Sequence, residues 1–436
     1  MLIKSLYLGA SMALAATAFS GAVSASEPQS TEKAAAADAA IAALKANPKV
    51  QKAFDFIMAE EPQTQADLIE LTEIPAPPFK EEKRGKRFAE MLKAAGADSV
   101  MIDEVGNVIA ERKGTVGART ILIDAHLDTV FPEGTDVTVR FEGDKMYAPG
   151  IGDDTRGLVV LNMILKAINH ADIRTKANLL FVGSVGEEGL GDLRGVKHLF
   201  RDGARKIDAF IAIDGGDIER VVYGAIGSHR YRIIFEGPGG HSWGAFGMAN
   251  PHHAMGRAIA EFVANAPSVT STGDKTSYNI GRMGGGTSIN SIPFTSWAEV
   301  DMRSGNQSKL DDIDAVLQTA VQKALAEENA ARLAGPELTL KMEKVGKRPA
   351  GKGDIDSDLL HAMQAALRTM GHTAKISSSS TDSNIPISKG IPAITISRGG
   401  IGGRAHSPDE WWQNVDGHQA IEAGLLTLVS IAGIAE

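Results

Sequence analysis

Short apolar runs rich in Ile, Val and Phe alternate with segments of helical spacing along this chain. The runs are TILIDAH, NLLFVGSV, DAFIAID and AITIS, and helical patterns such as GLVVLNMILKAINH and VKHLFRDGAR lie between them. Strands that helices cover on both faces have this nearly continuous apolar composition. The alternation therefore predicts an α/β fold with a mostly parallel sheet flanked by helices.

A different pattern begins at about residue 227. HRYRIIFEGPGGHS and TSYNIGRMGGGTSINSIPFTSWAEVDMRS are typical of antiparallel strands with Gly-rich turns, and a helical segment follows them. The α/β pattern returns near Gly353. With 436 residues the chain exceeds the usual size of a single core. We therefore predict an α+β domain inserted into a larger α/β domain. The predicted segments are a signal peptide (1–25), an Ala-rich helical lead (26–60), the two parts of the α/β domain (61–226 and 349–436) and the insert (227–348).

The first 25 residues have the layout of a secretory signal peptide. Lys4 is followed by an apolar stretch and then by small residues, with Val23 and Ala25 before a suitable cleavage site. A membrane anchor is the alternative, but the stretch is short and rich in Ala, Gly and Ser. We therefore expect export, removal of residues 1–25, and a periplasmic or secreted mature protein that does not span a membrane.

Two features of the composition limit the chemistry. The chain has no cysteine, so any metal ion must be held by His and carboxylate side chains. The net charge is −9, and charged residues of both signs, 23% of the total, are spread along the chain. A nucleic-acid partner is therefore not expected.

Potential metal ligands follow the predicted strands. In α/β sheets, ligands bind at the carboxyl ends of the strands. Carboxylates that cluster there repel one another and need a cation between them. The sequence therefore predicts a metal site built from His and carboxylate groups. The candidates are His126 and Asp128, Asp153 and Asp154 in a Gly-rich loop, Glu187 and Glu188, Asp214, and His406.

Each candidate has a simpler explanation when it is taken alone. A single His after a strand is usually a hydrogen-bonded loop residue, and adjacent acids at a strand end are usually solvated. Asp153 and Asp154 could cap the helix that follows them. The convergence of five segments on one predicted edge favours the metal site.

The chemistry of a metal pair suggests roles for several candidates. Two zinc ions a few ångströms apart need one bridging carboxylate, with His and carboxylate ligands on either side. Asp128 is two residues from His126, so it can lie on the same face and orient the imidazole. Glu187 and Glu188 are adjacent, so one can bind metal while the other acts as a general base.

The motifs HLD, GDD, GEE, IDGGD and AHSPDE, in this order around an inserted domain, resemble the di-zinc metallopeptidase family M20. This family includes carboxypeptidase G, peptidase T, succinyl-diaminopimelate desuccinylase and aminoacylase. The resemblance covers nearly all of the chain after about residue 60. It implies Glu187 as general acid/base, Asp128 as the residue supporting the ligands, and Asp153 as a bridge between two Zn²⁺ per subunit, with Co²⁺ or Mn²⁺ as substitutes. The metal ligands that it implies are His126, Asp153, Glu188, Asp214 and His406.

The inserted segment also resembles the lid of this family. GPGGHS matches the lid motif, and the match implies a homodimer in which His241 reaches the neighbouring subunit's active site. GGGTSINSIP and VDMRS match the lid segments that supply Asn290 and Arg303 for a substrate carboxylate or oxyanion. Without the resemblance, these segments would be interpreted as turn glycines, a capping Asn and a surface Arg.

Some features leave alternatives open. Thr155 and Arg156 stand where the family loop has other residues, so the choice between Asp153 and Asp154 stays open. The pair Trp411 and Trp412 either lines the substrate pocket or packs in the core. The Ala-rich lead has no counterpart in the family pattern.

The resemblance implies a zinc-dependent exopeptidase acting on short peptides, since GEEGLG and the Asp-Asp loop are closer to peptidase T. The alternatives are an N-acyl-amino-acid deacylase, a glutamate-type carboxypeptidase, or an exported peptide-binding protein that has lost activity. No G-x-S-x-G turn is present, so serine hydrolysis is not expected. Related di-zinc aminopeptidases lack the long insertion.

Overall fold

The computed structural model describes residues 29–435. The predicted signal peptide, residues 1–25, therefore lies outside the described residues. The helices of the described chain are α1 (Thr31–Ala46), α2 (Pro48–Ala59), α3 (Glu61–Thr72), α4 (Glu82–Ala94), α5 (Arg156–His170), α6 (Arg194–Leu199), α7 (Pro251–Asn265), α8 (Pro267–Thr270), α9 (Gln307–Ala331), α10 (Asp358–Thr369), α11 (Asn384–Ser388) and α12 (His418–Ala432).

The strands form four sheets. Their bounds are β1 (Ser99–Ile102), β2 (Val108–Arg112), β3 (Thr120–His126), β4 (Arg140–Glu142), β5 (Lys145–Tyr147), β6 (Asn178–Ser184), β7 (Ala209–Ile213), β8 (Arg220–Ala225), β9 (Gly227–Glu236), β10 (Gly240–His241), β11 (Thr276–Gly285), β12 (Ser291–Ile292), β13 (Thr295–Ser304), β14 (Thr339–Arg348), β15 (Gly351–Lys352), β16 (Lys375–Ser379), β17 (Ala393–Ile396), β18 (Ile401–Gly403) and β19 (Trp411–Gln413).

The main sheet has the strand order β1-β2-β6-β3-β7-β17-β8-β15, with β16 paired to β8. Its four central strands, β6, β3, β7 and β17, are parallel. The pairs β1–β2, β2–β6, β17–β8 and β8–β15 are antiparallel. The predicted α/β fold is confirmed, and the sheet is mixed, because parallel pairs form its centre and also join β16 to β8. Strand direction did not follow from the sequence pattern, because it depends on which strands pair in the folded chain.

Both faces of the central strands are buried. Every residue of β3 is buried, as the sequence pattern predicts. Ile121 and Ile123 belong to the larger core, which α5 and α12 help to cover, whereas Leu122 belongs to a smaller core on the other face. This division follows from the alternation of side chains along a strand.

The Ala-rich lead forms α1 and α2. Helix α1 packs against α10 and α12, with Ile41 as its buried residue. Ser30 caps α1 by accepting a hydrogen bond from the N–H of Lys33, and its own N–H donates to Asp356 Oδ1 at 2.7 Å. The lead is therefore attached to the second part of the main α/β unit.

Residues 227–348 contain a separate antiparallel sheet in the order β11-β13-β9-β14. Helices α7 and α9 pack on it. Phe235, Phe262 and Met302 belong to a hydrophobic core distinct from those of the main sheet. This segment therefore buries its own apolar residues.

A third sheet, in the order β18-β19-β5-β4, contains the tandem tryptophans. Trp412 is fully buried, its Nε1 donates to the Gly399 carbonyl at 2.8 Å, and the Arg156 guanidinium lies 4.7 Å from its ring centre. Of the two alternatives for Trp412, packing is therefore the one observed. Trp411 is partly buried beneath Lys145 Nζ.

In the part of the chain that the structure describes, no helix combines the length and apolar character needed to cross a bilayer.

Replacing Phe181 in β6 by Ala should lower the free energy of unfolding by about 3–5 kcal/mol, because the buried ring would leave a cavity. Denaturant unfolding would measure this loss. The matched control is Phe141→Ala in β4, where the ring is exposed and the change should stay within about 0.5 kcal/mol. Equal effects in both variants would contradict this account of the core.

Candidate metal centre

The predicted ligands meet at one edge of the main sheet. Strand β3 ends at His126, Glu187 and Glu188 follow β6, and Asp214 follows β7. Because these strands are parallel, their carboxyl ends lie at the same edge. The parallel centre of the sheet therefore brings together residues that are far apart in the sequence.

Side-chain donors form two sets that share one carboxylate. In each set, one ligand atom per residue lies within 4.8 Å of the others. His126, Asp153 and Asp214 make up one set, and Asp153, Glu188 and His406 make up the other. The structure thus brings together all five residues predicted as ligands, with Asp153 common to both sets. A further overlapping set is His126, Glu187 and Glu188.

Asp153 lies between the two imidazoles. His126 Nε2 is 3.1 Å from Asp153 Oδ1, and His406 Nε2 is 3.2 Å from Asp153 Oδ2. Burial raises the pKa of Asp153, but the hydrogen bonds to His126 and His406 more than offset it and hold that pKa well below its usual range. Asp153 is therefore ionised and available to cations on both sides.

The Asp154 side chain binds the backbone of His126 and does not join the donor sets. Its Oδ2 accepts the backbone N–H of His126 at 3.2 Å, and its carboxylate packs against Gly157 in the first turn of α5. Burial raises the pKa of Asp154 well above its usual value. Of the two acids, Asp153 lies in both donor sets, whereas Asp154 belongs to neither.

The role of Asp128 differs from the one expected. His126 Nδ1 lies 2.9 Å from the backbone carbonyl of Asp128, whereas the nearer carboxylate oxygen is 3.7 Å away. The Asp128 carboxylate instead accepts the backbone N–H groups of Glu187 and Glu188, each at 2.9 Å. Asp128 therefore fixes the loop that carries both glutamates.

Glu410 holds the loop before Asp153 in a similar way. Its Oε1 accepts the N–H groups of Gly152 and Asp153 at 2.9 and 2.8 Å, and its Oε2 accepts that of Gly150 at 2.9 Å. Burial, with the nearby Asp153 charge, raises the pKa of Glu410 to about 7. Sequence reasoning missed this residue, although it lies in the motif AHSPDE, four positions after His406.

Arg348, also missed, contacts Glu187 directly. Its Nη1 donates to Glu187 Oε1 at 2.8 Å and to Ser380 Oγ at 3.0 Å, and its Nη2 donates to the Glu187 carbonyl. Arg348 ends β14 of the separate sheet. From the same sheet, Arg230 Nη1 donates to the Gly189 carbonyl at 2.9 Å. The inserted segment therefore holds the Glu187 loop from outside the main sheet.

A buried pair of acids lies below the site. Ser184 Oγ is 3.1 Å from Asp124 Oδ2 and 3.0 Å from Asp382 Oδ2. Burial raises the pKa of Asp124 to about 7 and that of Asp382 well above its usual value. These groups connect β3, β6 and the loop after β16. In the sequence, only its place as an acid within the buried run TILIDAH could have suggested Asp124.

The predicted lid residues lie apart from both donor sets. His241 is exposed, and its Nδ1 accepts the N–H groups of Trp243 and Gly244. The exposed Asn290 precedes β12, which pairs with the strand of His241. Arg303 donates from Nε to Asp301 Oδ2 at 2.7 Å and lines a groove of about 680 Å³.

The donor set fits metal ions of the zinc type. Imidazole and carboxylate ligands without thiolate suit Zn²⁺, Mn²⁺ and Co²⁺. Hydrogen bonds to Asp153 and Glu188 raise the pKa of His406 to about 10. Burial lowers the pKa of His126, but the hydrogen bond to Asp153 and the charges of the nearby aspartates together raise it well above its usual value. The clustered carboxylates thus favour positive charge at the two places where ions would lie.

The family model described as peptidase family M20/M25/M40 matches residues 122–432. The chain belongs to this family. The family predicted from the sequence motifs is thereby confirmed.

Individual relatives agree with this assignment. Carboxypeptidase G2 of Pseudomonas sp. (strain RS-16) is 25% identical over 272 residues, which make up 59% of this chain and 61% of that protein. The match therefore spans about three fifths of the length of that relative.

Solved structures share the fold. The aminopeptidase PepT of Bacillus cereus has a TM-score of 0.66 at 21% identity, over 85% of this chain and 98% of that one. The Bacillus subtilis protein YXEP, described as a dinuclear metal-binding peptidase of family M20, has a TM-score of 0.61 at 17% identity, over 86% and 99% of the two chains. At these identities the likeness is one of fold.

Glu410→Ala should weaken metal binding by about 10- to 100-fold, because the loop carrying Asp153 would lose the acceptor for three backbone N–H groups. Competition with a chelator, followed by metal analysis, would measure the affinity. Asp409→Ala is the matched control, since that side chain is exposed and contacts Arg404. Unchanged affinity in Glu410→Ala would show that the loop holds its position without Glu410.

Proposed function

We propose that the protein is a zinc-dependent exopeptidase that hydrolyses amide bonds of short peptides. The observation that carries the proposal is the position of Asp153, which belongs to two donor sets at once. One ion would be held by His126, Asp153 and Asp214, and the other by Asp153, Glu188 and His406. When bound, such ions polarise a carbonyl group and make water more acidic at neutral pH.

Glu187 is proposed as the general base. Its neighbour Glu188 belongs to the donor set with Asp153 and His406, whereas Glu187 belongs only to the overlapping set with His126 and Glu188. Glu187 would take the proton from the attacking water and pass it to the leaving amine. Asp128 and Arg348 fix its backbone and its carboxylate. A base held on both sides keeps its position during proton transfer.

The names of relatives bear on the choice of substrate. Carboxypeptidase G2 and the aminopeptidase PepT carry names that denote removal of a terminal residue, and this supports an exopeptidase. The alternative is an N-acyl-amino-acid deacylase or glutamate-type carboxypeptidase, since the same site chemistry serves any small amide. A peptide-binding protein without activity is less well supported, because the base and every ligand are retained.

Glu187→Gln should reduce turnover by about 10²-fold or more while zinc stays bound, because the change removes the base and keeps the size of the side chain. Turnover would be measured on di- and tripeptides and N-acyl amino acids with free and blocked termini. Glu104→Gln, at an exposed glutamate, is the matched control.

Two outcomes would contradict the proposal. Loss of zinc from Glu187→Gln would show that Glu187 binds metal and that Glu188 is the base. Zinc binding by the wild type without turnover of any substrate would support the peptide-binding alternative.

We also propose a homodimer in which His241 completes the active site of the neighbouring subunit. His241 is exposed, and Trp243 and Phe246 beside it are 88% and 81% exposed. Exposed apolar groups that lie together mark an interaction surface. A neutral imidazole there would donate a hydrogen bond to the oxyanion that forms at the amide carbon.

His241→Ala should lower kcat by about 10²–10³-fold, as expected for the loss of one oxyanion donor. When His241→Ala and Glu187→Gln subunits are mixed and allowed to exchange, activity should return, because one site in each mixed dimer keeps both groups. Exchange without recovery of activity would place the action of His241 within its own chain. His253→Ala, at another exposed His of the insert, is the control for the substitution itself.

Export is proposed on the sequence alone. The layout of Lys4, apolar stretch and small residues supports removal of residues 1–25 and a periplasmic or secreted location.

A further inference from the structure

Arg84 is a fully buried cation that the proposed reaction leaves without a role. It lies in α4 and is 0% exposed. Its guanidinium donates to three backbone carbonyls, from Nη1 to Leu127 at 2.9 Å, from Nε to Ile74 at 3.0 Å and from Nη2 to Thr72 at 3.4 Å. Arginine is rarely buried completely unless it is paired. The acceptors of Arg84 are neutral groups, and one of them lies at the candidate metal centre.

Leu127 stands between two residues of that centre. His126 precedes it and belongs to the same donor set as Asp153. Asp128 follows it and accepts the backbone N–H of Glu187 at 2.9 Å. A shift of the Leu127 peptide would therefore displace a proposed metal ligand together with the acid that anchors the proposed base.

The backbone of Leu127 is held from two sides. Its N–H donates to the Ser184 carbonyl at the end of β6, at 2.7 Å, and its carbonyl accepts the bond from Arg84 in α4. Its side chain is completely buried. Arg84 thus fixes the path of the chain where β3 ends and the metal centre begins.

The other two carbonyls belong to the connection between α3 and α4. Thr72 ends α3, and the last carbonyls of a helix have no partner within the helix. In the same connection, the Ala76 carbonyl accepts the N–H of Thr129, the residue after Asp128, at 2.9 Å. Arg84 and this bond together attach the α3–α4 connection to the end of β3.

The charge of Arg84 acts on two acids of the site. Burial lowers the pKa of Arg84 to about 10, and the charges of Asp128 and Asp154 act in the opposite direction. Arg84 is therefore positively charged at neutral pH. Asp154 accepts the N–H of His126 at 3.2 Å, so both acids bind backbone N–H groups of the centre. A cation at this place offsets part of the repulsion among the clustered carboxylates.

We propose that Arg84 is a positioning residue of the metal centre, which holds the Leu127 carbonyl and thereby fixes the strand end that carries His126 and Asp128. It raises the affinity for metal ions through the backbone, without contacting a ligand side chain. This inference rests on the proposed function, because it takes His126 as a metal ligand and Asp128 as the anchor of the Glu187 loop.

Matched substitutions of two buried arginines test the proposal. Arg112, at the end of β2, is 7% exposed and donates to Asn169 Oδ1 at 2.7 Å and to the Ile173 carbonyl at 2.6 Å. Because β2 is antiparallel to β6, Arg112 lies at the sheet edge opposite the metal centre. The variants are Arg84→Met, Arg84→Lys, Arg112→Met and Arg112→Lys.

Three properties would be measured for each variant. Competition with a chelator gives the affinity for Zn²⁺, and the absorption spectrum of the Co²⁺-loaded protein reports the arrangement of the ligands. Denaturant unfolding of the metal-free protein gives its stability.

Arg84→Met should weaken Zn²⁺ binding by about 10- to 100-fold, as expected for the loss of a group that orients a ligand. It should also change the Co²⁺ spectrum, because His126 would no longer be held in place. Arg112→Met should lower the stability of the metal-free protein, because a buried carbonyl loses its donor, and should leave the Zn²⁺ affinity and the Co²⁺ spectrum unchanged. Arg84→Lys should lie between Arg84→Met and the unsubstituted protein, because it keeps the charge and loses the planar fork.

Equal Zn²⁺ affinities in the Arg84 and Arg112 variants would overturn the proposal and make Arg84 a residue of the core alone. If Arg84→Met does not fold, the comparison of Arg84→Lys with Arg112→Lys decides in the same way.

The Zn²⁺ affinity needs no substrate, which keeps this test separate from the proposed function. Weaker Zn²⁺ binding by Arg84→Met, in a protein whose wild type hydrolyses no amide, would support Arg84 and refute the exopeptidase. Hydrolysis by the wild type with unchanged Zn²⁺ affinity in Arg84→Met would refute Arg84 as a positioning residue and support the exopeptidase.

Discussion

Asp153 presents one carboxylate oxygen to His126 Nε2 at 3.1 Å and the other to His406 Nε2 at 3.2 Å. Around this carboxylate the protein gathers further acids at one edge of the main sheet, where they repel one another unless cations lie between them. Burial, together with the charges of Glu187 and Asp153, raises the pKa of Glu188 to about 7, as expected where carboxylates lie close together. The parallel centre of the sheet, the loops after its strands and the hydrogen bonds to those loops all serve to keep this negative charge in place.

Backbone N–H groups supply much of that restraint. Asp128 accepts two of them from the Glu187 loop, and Glu410 accepts three from the loop that leads to Asp153. Backbone hydrogen bonds of this kind fix the position of the loop as well as that of the acid. The carboxylates of the site thus divide into those that face the donor sets and those that support the loops from behind.

Glu187 is held from two sheets. Asp128 anchors its backbone from the main sheet, and Arg348 binds its carboxylate from the end of β14. A shift of the inserted sheet relative to the main sheet would therefore move the proposed base. Arg398, which follows β17, lies on the other side of the site against Gly152 and Gly215. Arg348 forms a salt bridge with Glu187, although the Nε of each arginine has no acceptor in the described chain.

With the family resemblance to select five of the candidate ligands, the sequence by itself determined the α/β class, the buried central strands and the acids and histidines that follow them, because strand periodicity and strand-end residues are local features. It also allowed the family to be recognised from short motifs. It did not determine that the pairs β2–β6, β17–β8 and β8–β15 are antiparallel, that the Asp128 carboxylate binds the Glu187 loop instead of His126, or that Glu410, Arg348 and Asp382 join the site. Those outcomes depend on contacts between segments more than fifty residues apart, such as Arg348 with Glu187. Local sequence carries no information about such distances, so only the tertiary structure could decide which buried charge meets which partner.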